Sequence, residues 1–415
     1  MKVDVTPFQY HVLNCEKIYL AGQRNIAILY DLPRDVNELQ IKLAALNIFK
    51  LFPVLNTTFV KFEDDWKGVL GEYNEAVRYL EIECSIEESI MEVASKLFHS
   101  HNMSLNISKG PLSFFALIKK KGGKNLLFIG NHMTYDMISL QIIESTFFRL
   151  LYGKTNMFPQ CNYLEWAKQI SIYFEETFPN DIPRWIEQNW EDTTRIPVLD
   201  NQAPSSATQE RWKYLFPLSV SQYYLSLVGG GVQLIDILLV RLHQAVCAFT
   251  SASDMVVELW DNGRESLRYR HSVGPFATFW PFLMEYPSGE LLDSAKRVAA
   301  KRTAAPSKHG FLLGCFKRNR TNAIKFFQNV PEPQFKIDFT GYFTSEVRNL
   351  NKLKRIAKVK KLIPVDHSSY THISLVFSVV DGIINMDWSH SSFAYQKRYL
   401  QEIARYMTTS PDLFY

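Results

Sequence analysis

The spacing of apolar positions changes period repeatedly along the chain, and each change predicts an element. Asn25 to Tyr30 is a run of β-forming residues and reads as a strand. Pro111 to Lys119 (PLSFFALIK) reads as another, with Lys121 to Lys124 (KGGK) as a turn and Asn125 to Ile129 as the returning strand. Elsewhere apolar residues recur every three or four positions, the helical period. Thr6-Pro7 reads as the cap and first residue of a helix reaching about Ile18. Asp35 reads as the cap of a second, with Val36, Leu39, Leu43, Leu46 and Phe49 on its apolar face. Ser85 to Leu97, Ile138 to Leu151 with Gly153 as the stop, Tyr163 to Phe178 and Pro183 to Trp190 continue the helical series.

The second half repeats the alternation. Val220 to Val228 and Val232 to Phe249 predict helices, and Gly229-Gly230-Gly231 between them reads as a loop. A phosphate-binding turn would need a preceding strand and a following Lys-Ser or Lys-Thr, and neither is present. Met255 to Leu259, Phe276 to Met284, Gln334 to Phe339, Ile373 to Val379 and Ile383 to Trp388 predict strands, the last two joined by the hairpin dipeptide Asp381-Gly382. Phe393 to Met407 predicts a closing helix. Pro197 to Thr208 has the composition of a linker. With 415 residues the chain exceeds one ordinary core. Two mixed α/β subdomains are expected, residues 1–178 and 179–415.

Composition narrows the function classes. Five cysteines (Cys15, Cys84, Cys161, Cys247, Cys315) lie far apart with no Cys-x-x-Cys pair, so no metal centre is expected and a reducing compartment is. A net charge of +4, spread along the chain, does not argue for nucleic acid but leaves room for an acidic partner. No window approaches the eighteen or so apolar residues of a membrane span, and a cytoplasmic protein is expected.

The candidate chemistry lies where the first hairpin ends: Asn131-His132-Met133-Thr134-Tyr135-Asp136, a His-x-x-x-Asp spacing between a strand and a helix. Spacing alone leaves two readings open. His132 is either an acid/base group or a satisfied histidine, and Asp136 either its companion or the N-cap of the next helix.

In this segment the chain resembles the His-His-x-x-x-Asp-Gly signature of the condensation and epimerization domains of non-ribosomal peptide synthetases. Other stretches resemble that family in the same order: Thr6-Pro7-Phe8-Gln9, Phe52 to Phe59 (without the family's two arginines and histidine), Asn262-Gly263-Arg264-Glu265, Val273-Gly274-Pro275-Phe276, Asp338 to Phe343, Val380-Asp381-Gly382 and Trp388-Ser389-His390-Ser391. The resemblance implies two chloramphenicol-acetyltransferase-like subdomains in a V-shaped pseudo-dimer with an active-site channel between them.

It further implies that His132 is the catalytic histidine and that Asp136 pairs with Arg264 as architecture. Asn131, Met137, Trp260, Thr278, Trp280 and Tyr342 are the positions it places along the channel. Asn131 stands in place of the first histidine, Met137 in place of the glycine, and Trp260 in place of the glutamate proposed to be catalytic in epimerization domains. Epimerisation needs two positioned acid/base groups. Amide formation from an activated thioester mainly needs the reactants held together, so the resemblance favours a free-standing condensation enzyme. No bound cofactor is implied.

The donor would ride on the phosphopantetheine arm of an acyl or peptidyl carrier protein. The acceptor would be a small-molecule amine, a hydroxyl compound or a second carrier-bound residue, and a monomer is expected. Two basic clusters, Arg348, Lys352, Lys354, Arg355, Lys358, Lys360 and Lys361, and Lys296, Arg297, Lys301 and Arg302, could attract such a carrier, with a solvated helix face or mobile loop as the favoured reading of both. Other readings are a degenerate recruitment domain, a coenzyme A-dependent His-x-x-x-Asp acyltransferase, and an epimerase.

Overall fold

The computed structural model describes residues 1–15, 24–63, 65–153, 163–188, 190, 193–198, 209–250, 253–264, 266–306, 308–309, 330–343, 354–358, 373–392 and 394–409. Its contacts form two compact units. The first comprises Met1–Glu176, Asn262–Ala277 and Glu346–Val365, and the second Thr177–Asp261, Thr278–Ser345 and Asp366–Tyr415. The first unit therefore takes two short segments from the second half of the chain, one of them containing Arg264.

In the first unit a five-stranded sheet runs in the order β12 (Lys354–Lys358), β2 (Asn25–Leu32), β7 (Gly123–Asn131), β6 (Ser113–Lys120), β5 (Tyr79–Glu83), with strands numbered along the chain. Its central strands are apolar on both faces because both are covered. Ile26, Ile28, Phe115, Leu117, Leu126 and Phe128 pack with helices α2 (Glu38–Leu51) and α4 (Met137–Leu151). The alternate positions Ala27, Leu29, Phe114, Ala116, Leu127 and Ile129 pack against Ala94 and Phe98 of α3 (Ile90–Ser104). A small sheet of β1 (Lys2–Val3), β4 (Asp65–Leu70) and β3 (Thr57–Phe62), helix α1 (Pro7–Cys15) and α5 (Tyr163–Glu176) complete the unit.

The second unit is built on a six-stranded sheet, β10 (Thr278–Met284), β9 (Met255–Asp261), β11 (Phe335–Phe343), β13 (Ile373–Val380), β14 (Ile383–Ser391), β8 (Gln209–Leu215). Only β11 runs parallel to its neighbours. Strand β13 alternates strictly, with Ile373, Leu375, Phe377 and Val379 buried, so this sheet hides one face. Helices α6 (Phe178–Ile186), α7 (Leu218–Ser226), α8 (Leu234–Cys247), α9 (Leu291–Ala304) and α10 (Lys397–Thr408) belong to it.

Several boundaries differ from the sequence expectation, each for a local reason. The cap of α2 is Asn37, not Asp35, because Gln40 reaches back to the Asn37 N–H and closes a capping box. Its buried face is Ile41, Ala44, Ala45, Leu46, Ile48 and Phe49, so Leu46 and Phe49 lie where expected while Leu39 and Leu43 face solvent. Ser89 and Glu92 form a second capping box, which starts α3 at Ile90 rather than Ser85. The helix starting at Tyr163 stops at Glu176, and Pro183 lies inside α6 instead of opening it. The closing helix begins at Lys397 rather than Phe393. Strands β3, β4, β5 and β8 had no counterpart in the sequence expectation. The glycine triplet is a loop with all three φ angles positive, as expected for a turn between helices. Of the proposed linker, 199–208 lies outside the described residues.

Candidate active site

Strand β7 delivers the His132 loop. Gly130 is required there: a Cβ on it would stand 2.6 Å from the Tyr135 ring, so a side chain would push that ring from its seat. Tyr135 is fully buried, and its hydroxyl donates to the Gly130 carbonyl at 3.1 Å. The His132 ring lies nearly parallel to it at 5.4 Å between centroids. His132 donates its backbone N–H to the Arg24 carbonyl at 3.0 Å, and its Nδ1 is 3.3 Å from the Tyr135 carbonyl. A carbonyl only accepts, so this contact selects the tautomer with the proton on Nδ1 and the lone pair on Nε2.

The rest of the loop is held from within. Asn131 has no accessible surface, and its side chain accepts from the Met133 N–H at 2.9 Å while donating to Asn25 Oδ1 at 3.0 Å. The Met133 carbonyl in turn accepts from Gln9 Nε2 at 2.6 Å. Thr134 donates both its N–H and its hydroxyl to the Asn131 carbonyl, each at 2.9 Å. Asn131, with no accessible surface, is therefore part of the loop's frame.

Asp136 carries two functions at once. It is the N-cap of α4, accepting the Ser139 N–H at 2.8 Å, where the helix N-terminus favours a negative charge. It is also half of a two-pronged ion pair: Arg264 Nη1 donates to Oδ2 at 2.7 Å and Nη2 to Oδ1 at 2.9 Å, with both side chains nearly buried. The structure thus brings these two sequence-predicted residues together across 128 positions. The Phe276 N–H adds a donor to Oδ2 at 3.2 Å. Asp136 meets the desolvation cost of a buried carboxylate with hydrogen bonds as well as charge.

Ser139 and the segment around Gly274 complete this latch. Ser139 Oγ lies 2.8 Å from both Asp136 Oδ1 and the Gly274 carbonyl, and accepts from the Gly274 N–H and from Arg264 Nη2, each at 3.0 Å. Gly274 must be glycine, since a Cβ would stand 2.1 Å from the Tyr163 ring. The guanidinium of Arg264 also lies 4.3 Å over the Phe276 ring. Sequence reasoning did not single out Ser139. The available signal was its place three residues after a capping aspartate, the usual partner position of an N-cap.

Met137 opens α4 and is 40% exposed. The other expected channel positions lie on the sheet of the second unit. Trp260 stacks on Phe279 at 4.7 Å, carries the Lys336 ammonium 3.7 Å above its ring, and donates Nε1–H to Glu258 at 2.6 Å. Thr278 and Trp280 are buried, the latter beneath Lys308, which pairs with Asp261 at 2.8 Å. Tyr342 is mostly exposed. Burial pushes the carboxyl of nearby Asp338 upward, against the pull of Lys336.

The basic residues of one proposed docking cluster take part in local ion pairs and hydrogen bonds. Lys296 pairs with Asp293, Lys301 with Glu285 and Arg302 with the buried Asp236, and Arg297 donates to Ser288. Of the other cluster, Arg348, Lys352, Lys360 and Lys361 lie outside the described residues, and Lys354, Arg355 and Lys358 are placed only by the backbone of β12. Among the described residues no helix is long and apolar enough to cross a membrane, and no group of His, Cys, Asp and Glu could hold a metal ion.

Residues 3–410 match the family model described as the condensation domain. A linear gramicidin synthase from Brevibacillus parabrevis is 21% identical over 89% of this chain, and chondramide synthase cmdD from Chondromyces crocatus is 23% identical over 92%. The chain spans only 5% and 10% of the lengths of those two relatives. Among solved structures, the epimerization domain from the third module of tyrocidine synthetase B superposes with a TM-score of 0.81 at 16% identity, covering 98% of this chain and 94% of that one. The condensation domain from the monacolin K polyketide synthase gives 0.73 at 14% identity, covering 98% and 96%. At these identities the likeness is one of fold, the mixed α/β, chloramphenicol-acetyltransferase-like fold of such domains.

Proposed function

The chain belongs to the condensation-domain family, and from that premise we propose that it joins a carrier-bound acyl or aminoacyl thioester to an amine or hydroxyl acceptor. The supporting observation is the state of the His132 loop. Although Asn131 and Met137 depart from the family signature, the loop is fully framed, and the tautomer of His132 presents a basic Nε2. A degenerate loop would be expected to lose such a frame.

In this mechanism the acceptor nitrogen or oxygen attacks the thioester carbonyl and His132 Nε2 takes its proton. The tetrahedral intermediate collapses as the C–S bond breaks, and the proton passes to the departing phosphopantetheine sulfur. The new C–N or C–O bond and the free thiol balance the reaction. Such general-base work contributes about 10² to 10⁴ in rate. Asp136 and Arg264 stay ion-paired throughout and hold the helix that follows the loop. Trp260, Thr278, Trp280, Met137 and Tyr342 serve as substrate-contacting or supporting positions, and no metal or bound cofactor takes part.

Relatives named as gramicidin and chondramide synthases suggest a carrier protein as the donor's vehicle. The free-standing mode belongs to the same proposal. Both are tested by adding the protein to acyl-loaded carrier proteins with candidate amines and alcohols, then weighing the carriers intact. Loss of the acyl group to an acceptor, dependent on the protein, supports the reading. An unchanged carrier with protein bound to it points to a recruitment domain. Turnover of coenzyme A thioesters alone points to the coenzyme A-dependent reading, and α-proton exchange with solvent without transfer to epimerisation.

A further inference from the structure

The Met133 peptide, directly after His132, is held at both ends by buried side-chain amides from different parts of the chain. Asn131 accepts its preceding N–H at 2.9 Å, and Gln9 donates to its carbonyl at 2.6 Å. Both amides are themselves anchored. Asn131 donates to Asn25, which donates onward to Asn102 at 2.6 Å. Gln9 Oε1 accepts from the Thr6 N–H at 2.9 Å and from the Tyr163 hydroxyl at 3.4 Å. Gln9 and Asn131 are 2% and 0% accessible, so water cannot replace either bond.

We propose that Gln9 and Asn131 are positioning residues that fix the His132 ring by clamping the Met133 peptide from both sides. The inference rests on the reading of His132 as the reacting base. A peptide free to rotate would move the Tyr135 carbonyl away from His132 Nδ1 and release the tautomer. The clamp also explains how Asn131 fills the position where the family signature has a histidine. A neutral imidazole can accept from one neighbour and donate to another, as the amide does, but an imidazolium cannot accept. With asparagine the clamp does not titrate.

The test is nitrogen-detected NMR of the His132 ring, which reports tautomer without requiring turnover. Gln9→Glu keeps the shape and removes the donor; Asn131→Leu removes both functions; Thr6→Ala loosens the cap of α1 but leaves the bond from Gln9 to Met133. In the first two variants the Nδ1–H tautomer is expected to fall from dominant to a mixture, with any transfer kcat down at least tenfold and KM within about threefold. Thr6→Ala is expected to lower the melting temperature without changing the tautomer.

Unchanged ring signals in folded Gln9→Glu and Asn131→Leu would overturn the proposal, as would an equal change in Thr6→Ala. If a leucine at 131 prevents folding, Gln9→Glu decides alone, with Thr6→Ala as its control. Absence of transfer by the wild type would sink the proposed function while leaving the tautomer comparison intact.

Discussion

Two hairpins in this chain end the same way and have opposite consequences. In the first unit β6 and β7 lead into the His132 loop and helix α4, and in the second β13 and β14 lead through His390 towards α10. Each places a histidine at or just beyond the end of the returning strand. His132 is half-buried, with a backbone carbonyl setting its tautomer. His390 is buried against Trp212 at 4.3 Å, its Nδ1 has no hydrogen-bond partner among the described residues, and burial pushes its pKa down. The hairpin is thus a common support. In the proposed reaction, what sets His132 apart as the base is the polar frame of Asn131, Gln9 and the Asp136–Arg264 latch.

Removing the latch should break the comparison most severely. Arg264→Ala leaves a buried carboxylate facing only neutral donors, and a loss of about 3–5 kcal/mol is expected by urea denaturation. Asp136→Ala should cost a similar amount and also uncap α4. A stability change under 1 kcal/mol in both would mean that the first unit does not depend on the pair.

Acid pH should act next. Burial holds His101, packed 4.9 Å from Phe114, down to about 4, and it also lowers His243 in the second unit. Above pH 6.5 these groups are neutral in both states and contribute nothing. Below it the unfolded chain takes up protons that the folded chain refuses, so stability falls as pH drops from 6.5 towards 4. His101 accounts for at most about 3 kcal/mol of that fall. His101→Gln should flatten the profile, and an unaltered slope would remove the assignment.

Gly274→Ala is expected to cost about 1–3 kcal/mol, because its methyl group must displace Tyr163 or the backbone. A melting temperature matching the wild type would show that the segment has room. The smallest effect is expected for His390→Phe, which replaces a ring whose Nδ1 has no hydrogen-bond partner among the described residues with an apolar one. Stability should stay within about 1 kcal/mol and transfer within twofold. A large loss of transfer would erase the distinction between the two hairpins.

The sequence displayed long apolar runs and turns well and cap identity poorly. Strands such as β6 and β7 are apolar at nearly every position because both faces are covered, so composition alone marks them. Strand β8 is legible only once β14 lies beside it, because its alternation of charged and aromatic residues (QERWKYL) has no apolar run. Leu39 and Leu43 misled part of the face of α2, since Leu46 and Phe49 are buried as expected but Ala44 and Ala45 fill the remaining core positions. At the site, the spacing of His132 and Asp136 was visible locally. Arg264 entered through resemblance, and Ser139 and the role of Gln9 needed coordinates. Hydrogen bonds spanning 124 and 135 residues leave no periodic trace.

The most direct test compares His132→Ala with wild type in the carrier-bound thioester assay, with both proteins checked for equal melting temperature. Transfer should fall about 10²- to 10⁴-fold with folding unchanged. Near-normal turnover by a folded His132→Ala protein would contradict the assignment of His132 as the base.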